Sequence, residues 1–106
     1  MNKKTSAQYE ARALIIKAMA HPTRLMIIEE LGKQERCVSD LTAMAGADTS
    51  TVSKHLLVLK NSGIVELEKR GQMVFYKLKC PCILKFISCI ENVIQDRAET
   101  QMMLVS

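Results

Sequence analysis

The sequence predicts a mainly α fold carrying one β-hairpin. Three observations predict it: four segments in a row repeat apolar residues at helical spacing, the period then switches to strand-like over Ile64–Leu78, and a last strongly apolar helix follows. At 106 residues the chain has room for one domain, expected to span 1–106. Its 48% apolar and 25% charged residues are those of a folded chain, not a disordered one. With no Trp, two Tyr and two Phe, aliphatics and seven Met must build the core.

In the first helix Ala7, Ala11, Leu14, Ile15, Ala18 and Met19 recur at helical spacing, up to Ala20. His21-Pro22 ends it, and Pro22 opens the next helix at its first position. Leu25, Ile28 and Leu31 form the second stripe, with Gly32 as the expected stop. A short third helix is expected over Ser39–Ala45, with Ser39 as N-cap and Gly46 closing its C-terminus. Asp48-Thr49-Ser50 is a dense cap signal for a fourth helix through Val52, Leu56 and Leu59, which Asn61-Ser62-Gly63 stops. The β-branched and aromatic runs Ile64–Glu68 and Met73–Leu78 then flank Lys69-Arg70-Gly71-Gln72, a hairpin expected to have a basic tip. After Cys80-Pro81-Cys82 comes a last helix, to about Arg97. Its apolar set of Ile83, Leu84, Phe86, Ile87, Ile90, Val93 and Ile94 is too wide for one buried face. In so small a chain the simplest second cover is another copy of the chain.

Charge and composition narrow the function. The net charge of +4 is mild, but residues 48–80 hold six positive and three negative side chains and are the most basic stretch, the footprint of a polyanion site. Residues 1–12 are polar with no apolar run, and no uncharged apolar stretch is long enough for a membrane span. A cytoplasmic, reduced protein with no membrane partner is therefore expected, and its four Cys are not expected to form stable disulfides. No nucleophile–base set, phosphate loop or paired carboxylates can be assembled, so an enzyme is not expected. A Cys-x-Cys with no parallel-sheet pattern also differs from redox enzymes, which place Cys-x-x-Cys in a βαβ context.

The third helix, the turn at Gly46 and the fourth helix make a helix-turn-helix, and the hairpin behind them makes it winged. A helix that enters a major groove needs short hydrogen-bonding side chains at its outward N-terminal end. Thr49, Ser50, Thr51, Ser53, Lys54 and His55 fit this need, and Lys69 and Arg70 would reach backbone phosphate or an adjacent minor groove. Taken singly, a Ser/Thr cluster more often marks a solvated helix start, and a basic turn a solvated loop. Their order is what separates a DNA reader from a pure dimerisation module.

The segments Ala20-His21-Pro22-Thr23-Arg24-Leu25-Met26-Ile27-Ile28, Cys37-Val38-Ser39-Asp40-Leu41 and Ser50-Thr51-Val52-Ser53-Lys54-His55-Leu56, with Leu59-Lys60 and Gly63-Ile64-Val65, closely resemble the ArsR/SmtB family of winged-helix repressors. The resemblance runs from about Ala13 to Leu78. It implies a homodimer on the first and last helices, binding to an inverted-repeat operator in double-stranded DNA, and release when an effector binds. One departure is Thr49, where the family often has Gln; it leaves the operator sequence open.

Two effector positions are familiar in that family. The Cys-x-Cys at the start of the third helix survives here only as Cys37, with Ser39 in the second position, and a lone thiolate does not chelate. The Asp-x-His pair at the start of the last helix is replaced in register by Cys80 and Cys82. The later His-x-x-Glu pair is replaced by Val93 and Asp96, with Cys89 one turn before Val93. In a continuous helix Cys82 and Cys89 would be roughly 10.5 Å apart along the axis, whereas sulfurs sharing one ion lie within ~4 Å of each other. Either Cys89 comes from the partner chain, or Cys80-Pro81-Cys82 is a non-helical lead-in that folds back. Three thiolates select soft acceptors: As(III) first, with Sb(III), Cd(II) or Pb(II) also suited. The alternative effector is redox or reactive-sulfur chemistry on a dithiol switch.

Overall fold

A computed structural model describes residues 1–105. The elements are α1 (Lys3–Met19), α2 (Pro22–Lys33), β1 (Arg36–Cys37), α3 (Val38–Ala45), α4 (Thr49–Asn61), β2 (Val65–Arg70), β3 (Met73–Leu78) and α5 (Ile83–Val105). The strands form one antiparallel sheet in the order β1-β3-β2, with Val65 opposite Leu78 and Arg70 opposite Met73. This is a winged helix-turn-helix: α3 and α4 are the helix pair and β2–β3 the wing.

Local chemistry accounts for most boundaries. Asn2 caps α1 by accepting from the Thr5 N–H, and His21 caps α2, its Nδ1 accepting from the Thr23 N–H at 3.0 Å. Gly46 ends α3 at φ 64°, and Gly63 follows α4 at φ 83°. No atom would lie within 4 Å of a Cβ at Gly46, so a side chain there costs only backbone strain. Gly46→Ala is expected to destabilise the fold by about 1 kcal/mol, seen as a lower urea midpoint with unchanged m.

The core lies between α2, α3, α4 and the base of the wing. Ile27, Ile28, Leu41, Val52, Leu56 and Leu59 are fully buried, with Ile64 and Val65 closing the sheet side. Each large side chain among them contributes ~1.5–3 kcal/mol by leaving water. By contrast, α1 buries only Ala18 and Met19, and α5 adds no residue to this buried set. Ile83, Leu84 and Ile87 seat the start of α5 against the core, while Leu14, Ile16, Phe86, Ile90, Val93 and Ile94 stay exposed. Arg12, Ile15, Ile16, Met19, Ile83 and Phe86 line an almost wholly apolar groove of about 390 Å³ between α1 and α5.

Five expectations need correction. The first helix starts at Lys3, not near Ala7, because Asn2 supplies the cap. Gly32 does not stop α2, which runs on to Lys33; a Cβ on Gly32 would stand 2.8 Å from Leu84 Cδ1, so the glycine makes room for α5. The N-cap of α3 is Cys37 rather than Ser39, because pairing of Arg36 and Cys37 with Tyr76 and Phe75 fixes where the helix begins. The hairpin turn is only Gly71-Gln72, with Gly71 at φ 64° as such tight turns require, so Lys69 and Arg70 belong to β2. Finally, α5 continues past Arg97 to Val105.

Candidate nucleic-acid interface and thiol cluster

Asp48 builds the start of α4. Its carboxylate accepts from the Thr51 N–H at 2.7 Å and from Ser50 Oγ at 2.8 Å. These bonds, the Thr51 backbone bond first, hold its pKa below the usual carboxylate range. The cap leaves Thr49, Ser50, Thr51, Ser53 and Lys54 exposed over the first turns, on the face away from Val52 and Leu56. That is a short-chained, hydrogen-bonding surface at the positive end of a helix dipole, suited to a base edge or a phosphate.

His55 departs from this pattern. It is half-buried, and its ring centroid lies 4.2 Å from that of His21 at the N-cap of α2. Burial first, then His21 and Arg24, push its pKa below the usual imidazole value. The fully outward placement expected for His55 therefore does not hold: one side of its ring packs on His21 at the start of α2 and the other stays open. No local sequence signal joins His21 to His55.

On the wing, the two basic residues differ. The Arg70 guanidinium grips Glu35 with two bonds, 2.6 and 2.9 Å, reaches Glu68 at 2.9 Å and lies over the Phe75 ring. Its pKa is raised, chiefly by Glu35. Lys69, exposed one residue earlier, has no ion pair among the described residues. Lys69 is thus the cation more available to a phosphate, and Arg70 braces the wing against the α2–β1 connection.

The cysteines fall into two classes. Cys37 is buried at the β1–α3 junction, while Cys80, Cys82 and Cys89 are exposed free thiols. Cys80-Pro81-Cys82 is non-helical; its carbonyls accept from the N–H groups of Ile83, Leu84 and Lys85 at 3.1 Å and so open α5. Cys89 lies in α5, roughly 9 Å along the axis from Ile83. Among the described residues no three His, Cys, Asp or Glu side chains converge on a position that could hold a metal ion. A single chain therefore does not gather the three thiols, and the lead-in does not fold back onto Cys89. Cys80 also touches the helix-turn-helix: its Sγ lies 4.0 Å from the Gly63 carbonyl, just past α4, and the neighbouring Lys79 N–H donates to Ile64 O at 2.9 Å.

No helix among the described residues is long and apolar enough to cross a membrane. A family profile described as "Bacterial regulatory protein, arsR family" matches residues 21–66. The chain is 31% identical over 88 residues to the HTH-type transcriptional regulator YgaV of Escherichia coli K12, covering 82% of this chain and 89% of that one. Its fold is similar to that of NolR from Sinorhizobium fredii, with a TM-score of 0.81, 26% identity and coverage of 88% of this chain and 93% of that one. It is also similar to a homodimeric winged helix-turn-helix DNA-binding domain from Mycobacterium bovis, described as a possible ArsR-family regulator, with a TM-score of 0.79, 25% identity and coverage of 94% and 93%.

Proposed function

The chain belongs to the arsR family of bacterial regulatory proteins, and from that premise we propose that it is a homodimeric transcriptional repressor that releases double-stranded operator DNA when a thiophilic ion binds its cysteines. As(III) is the effector the thiols suit best. The carrying observation is that three exposed thiols cluster around the start of α5 and do not converge within one chain among the described residues.

The parts act as follows. Thr49, Ser50, Thr51, Ser53 and Lys54 of α4 read the major groove, and Lys69 anchors the wing to backbone phosphate. The apolar faces of α1 and α5 pair the two copies, which sets the two recognition helices at half-sites about one DNA turn apart. Cys80 and Cys82 of one protomer and Cys89 of its partner supply three thiolates to one ion. Such a pyramidal sulfur set suits As(III) or Sb(III) and accepts Cd(II) or Pb(II), whereas Zn(II) wants a fourth ligand.

Release requires the ion to prefer the form that cannot hold DNA. The contact of Cys80 with Gly63 supplies a route. A neutral thiol donates weakly to that carbonyl, but ion binding removes the proton. The sulfur then has no hydrogen to share with that carbonyl, and loss of this contact frees the end of α4 to shift relative to α5. A coupling of ~1–3 kcal/mol, about 5–150-fold in operator affinity, is the expected range.

The test is a promoter-fragment shift titrated with arsenite under reducing conditions. Cys80→Ser, Cys82→Ser and Cys89→Ser should each bind DNA like the native chain and lose release. Cys37→Ser should keep both, since Cys37 is buried away from the cluster. Full release from a Cys80→Ser/Cys82→Ser chain would contradict the proposal. The exposed Cys80 and Cys82, two residues apart, also favour a dithiol switch as a second reading. Stoichiometric arsenite binding without oxidation of the thiols decides for the ion.

A further inference from the structure

We infer that His21, Arg24 and His55 together form a second DNA-phosphate contact beside the groove-reading end of α4. The inference rests on the DNA-binding reading above and adds residues from α2 to it.

Three observations carry it. His21 and His55 bring their rings to 4.2 Å across the α2–α4 contact. The Nδ1 of His21 is engaged by the Thr23 N–H, which leaves Nε2 as the nitrogen able to meet a ligand. Arg24 lies one turn further along α2 with its Nε buried and, among the described residues, without a hydrogen-bond partner. That Nε has no open surface, so the guanidinium would meet a ligand through its terminal N–H groups, which no hydrogen bond or ion pair among the described residues engages. All three residues are half-buried and so remain open on one side.

The chemistry selects an anion. None of the ion pairs among the described residues draws a carboxylate to this cluster. A divalent cation on the two imidazoles would be repelled by the Arg24 guanidinium, whereas phosphate oxygens would accept from all three side chains. His55 is one helical turn past Thr51, an exposed residue of the cap turn. A strand whose bases meet that turn would carry a neighbouring phosphate past His55.

A proton is linked to this contact. Burial, His21 and Arg24 keep His55 below the usual imidazole range, and among the described residues no charged group of α1 acts on it. These surroundings favour the neutral imidazole of His55 in the free chain. A bound phosphate favours the imidazolium, so its pKa is higher in the complex than in the free protein. The chain then takes up a proton on binding, and affinity rises as pH falls through the interval between those two values. The limit for one linked proton is about tenfold per pH unit.

The test uses the full chain and a nonspecific duplex at fixed ionic strength, between pH 8 and pH 6. The native chain should bind several-fold tighter at the lower pH. His55→Gln cannot take the proton, and His21→Asn keeps the helix cap without an imidazole. The double variant should lose most of the pH dependence, and its salt slope at pH 6 should fall by about one. Equal pH dependence and equal slopes in native and variant chains would overturn the inference. Imidazole proton shifts of the native chain need no variant: the His55 midpoint should move up when DNA is added, and an unmoved midpoint would overturn it. Zn(II) shifting both imidazoles at micromolar concentration without DNA would assign the pair to a cation instead. Absence of any duplex binding at any pH would overturn the DNA reading itself, and this inference with it.

Discussion

Ile90→Asp is expected to convert the assembly to monomers while leaving each chain folded. Ile90 is 41% exposed in the single chain, on the same side of α5 as Phe86, Val93 and Ile94, and beside the groove that α1 borders. In the proposed dimer this stripe is covered by the second copy, and a carboxylate there would be buried without a partner. The cost of such a charge is several kcal/mol, and a loss of ~3 kcal/mol weakens dimerisation by roughly 100-fold or more. The fold survives because the buried core draws on α2, α3, α4 and the wing, and none of its fully buried side chains comes from α5. Sedimentation at micromolar concentration should show a dimer for the native chain and a monomer for the variant, with circular dichroism close to native. Operator affinity should fall with it, since one reading head no longer holds the other at its half-site. A native chain that sediments as a monomer would refute the assembly.

Much of the fold is written locally in the chain. Asp48 caps α4, and Gly46 and Gly63 supply the positive φ that ends a helix, so the helix-turn-helix could be placed from single residues. What stayed hidden depends on partners distant in sequence. Arg36-Cys37 is a strand only because β3 lies beside it. Gly32 reads as a stop until Leu84 is known to press on it. Lys69 and Arg70 read as a loop tip, yet the Glu35–Arg70 pair and the tight Gly71-Gln72 turn keep them in β2.

The candidate site divides along the same line. The exposed Ser/Thr surface of α4 and the clustering of Cys80, Cys82 and Cys89 were legible, since both rest on neighbours in the chain. The inward packing of His55 on His21 and the pairing of Arg70 were not, because each brings together residues from separate elements. Helix spacing alone permits two ways to unite the thiols. The non-helical Cys80-Pro81-Cys82 lead-in runs into α5 without returning to Cys89, and the proposed site therefore draws its third sulfur from the partner chain as a claim to be tested.

That shared site is the central claim, and mixing subunits tests it directly. One chain carries Cys80→Ser and Cys82→Ser, the other Cys89→Ser, and a heterodimer is isolated by distinct affinity tags. A site built across the interface keeps one complete set, from the Cys80 and Cys82 of the second chain and the Cys89 of the first. The heterodimer should therefore bind one As(III) per dimer and regain part of the arsenite-driven operator release, while both mutant homodimers bind none. A heterodimer that binds no As(III), beside a native dimer that binds two, would contradict the account and return all three thiols to a single chain.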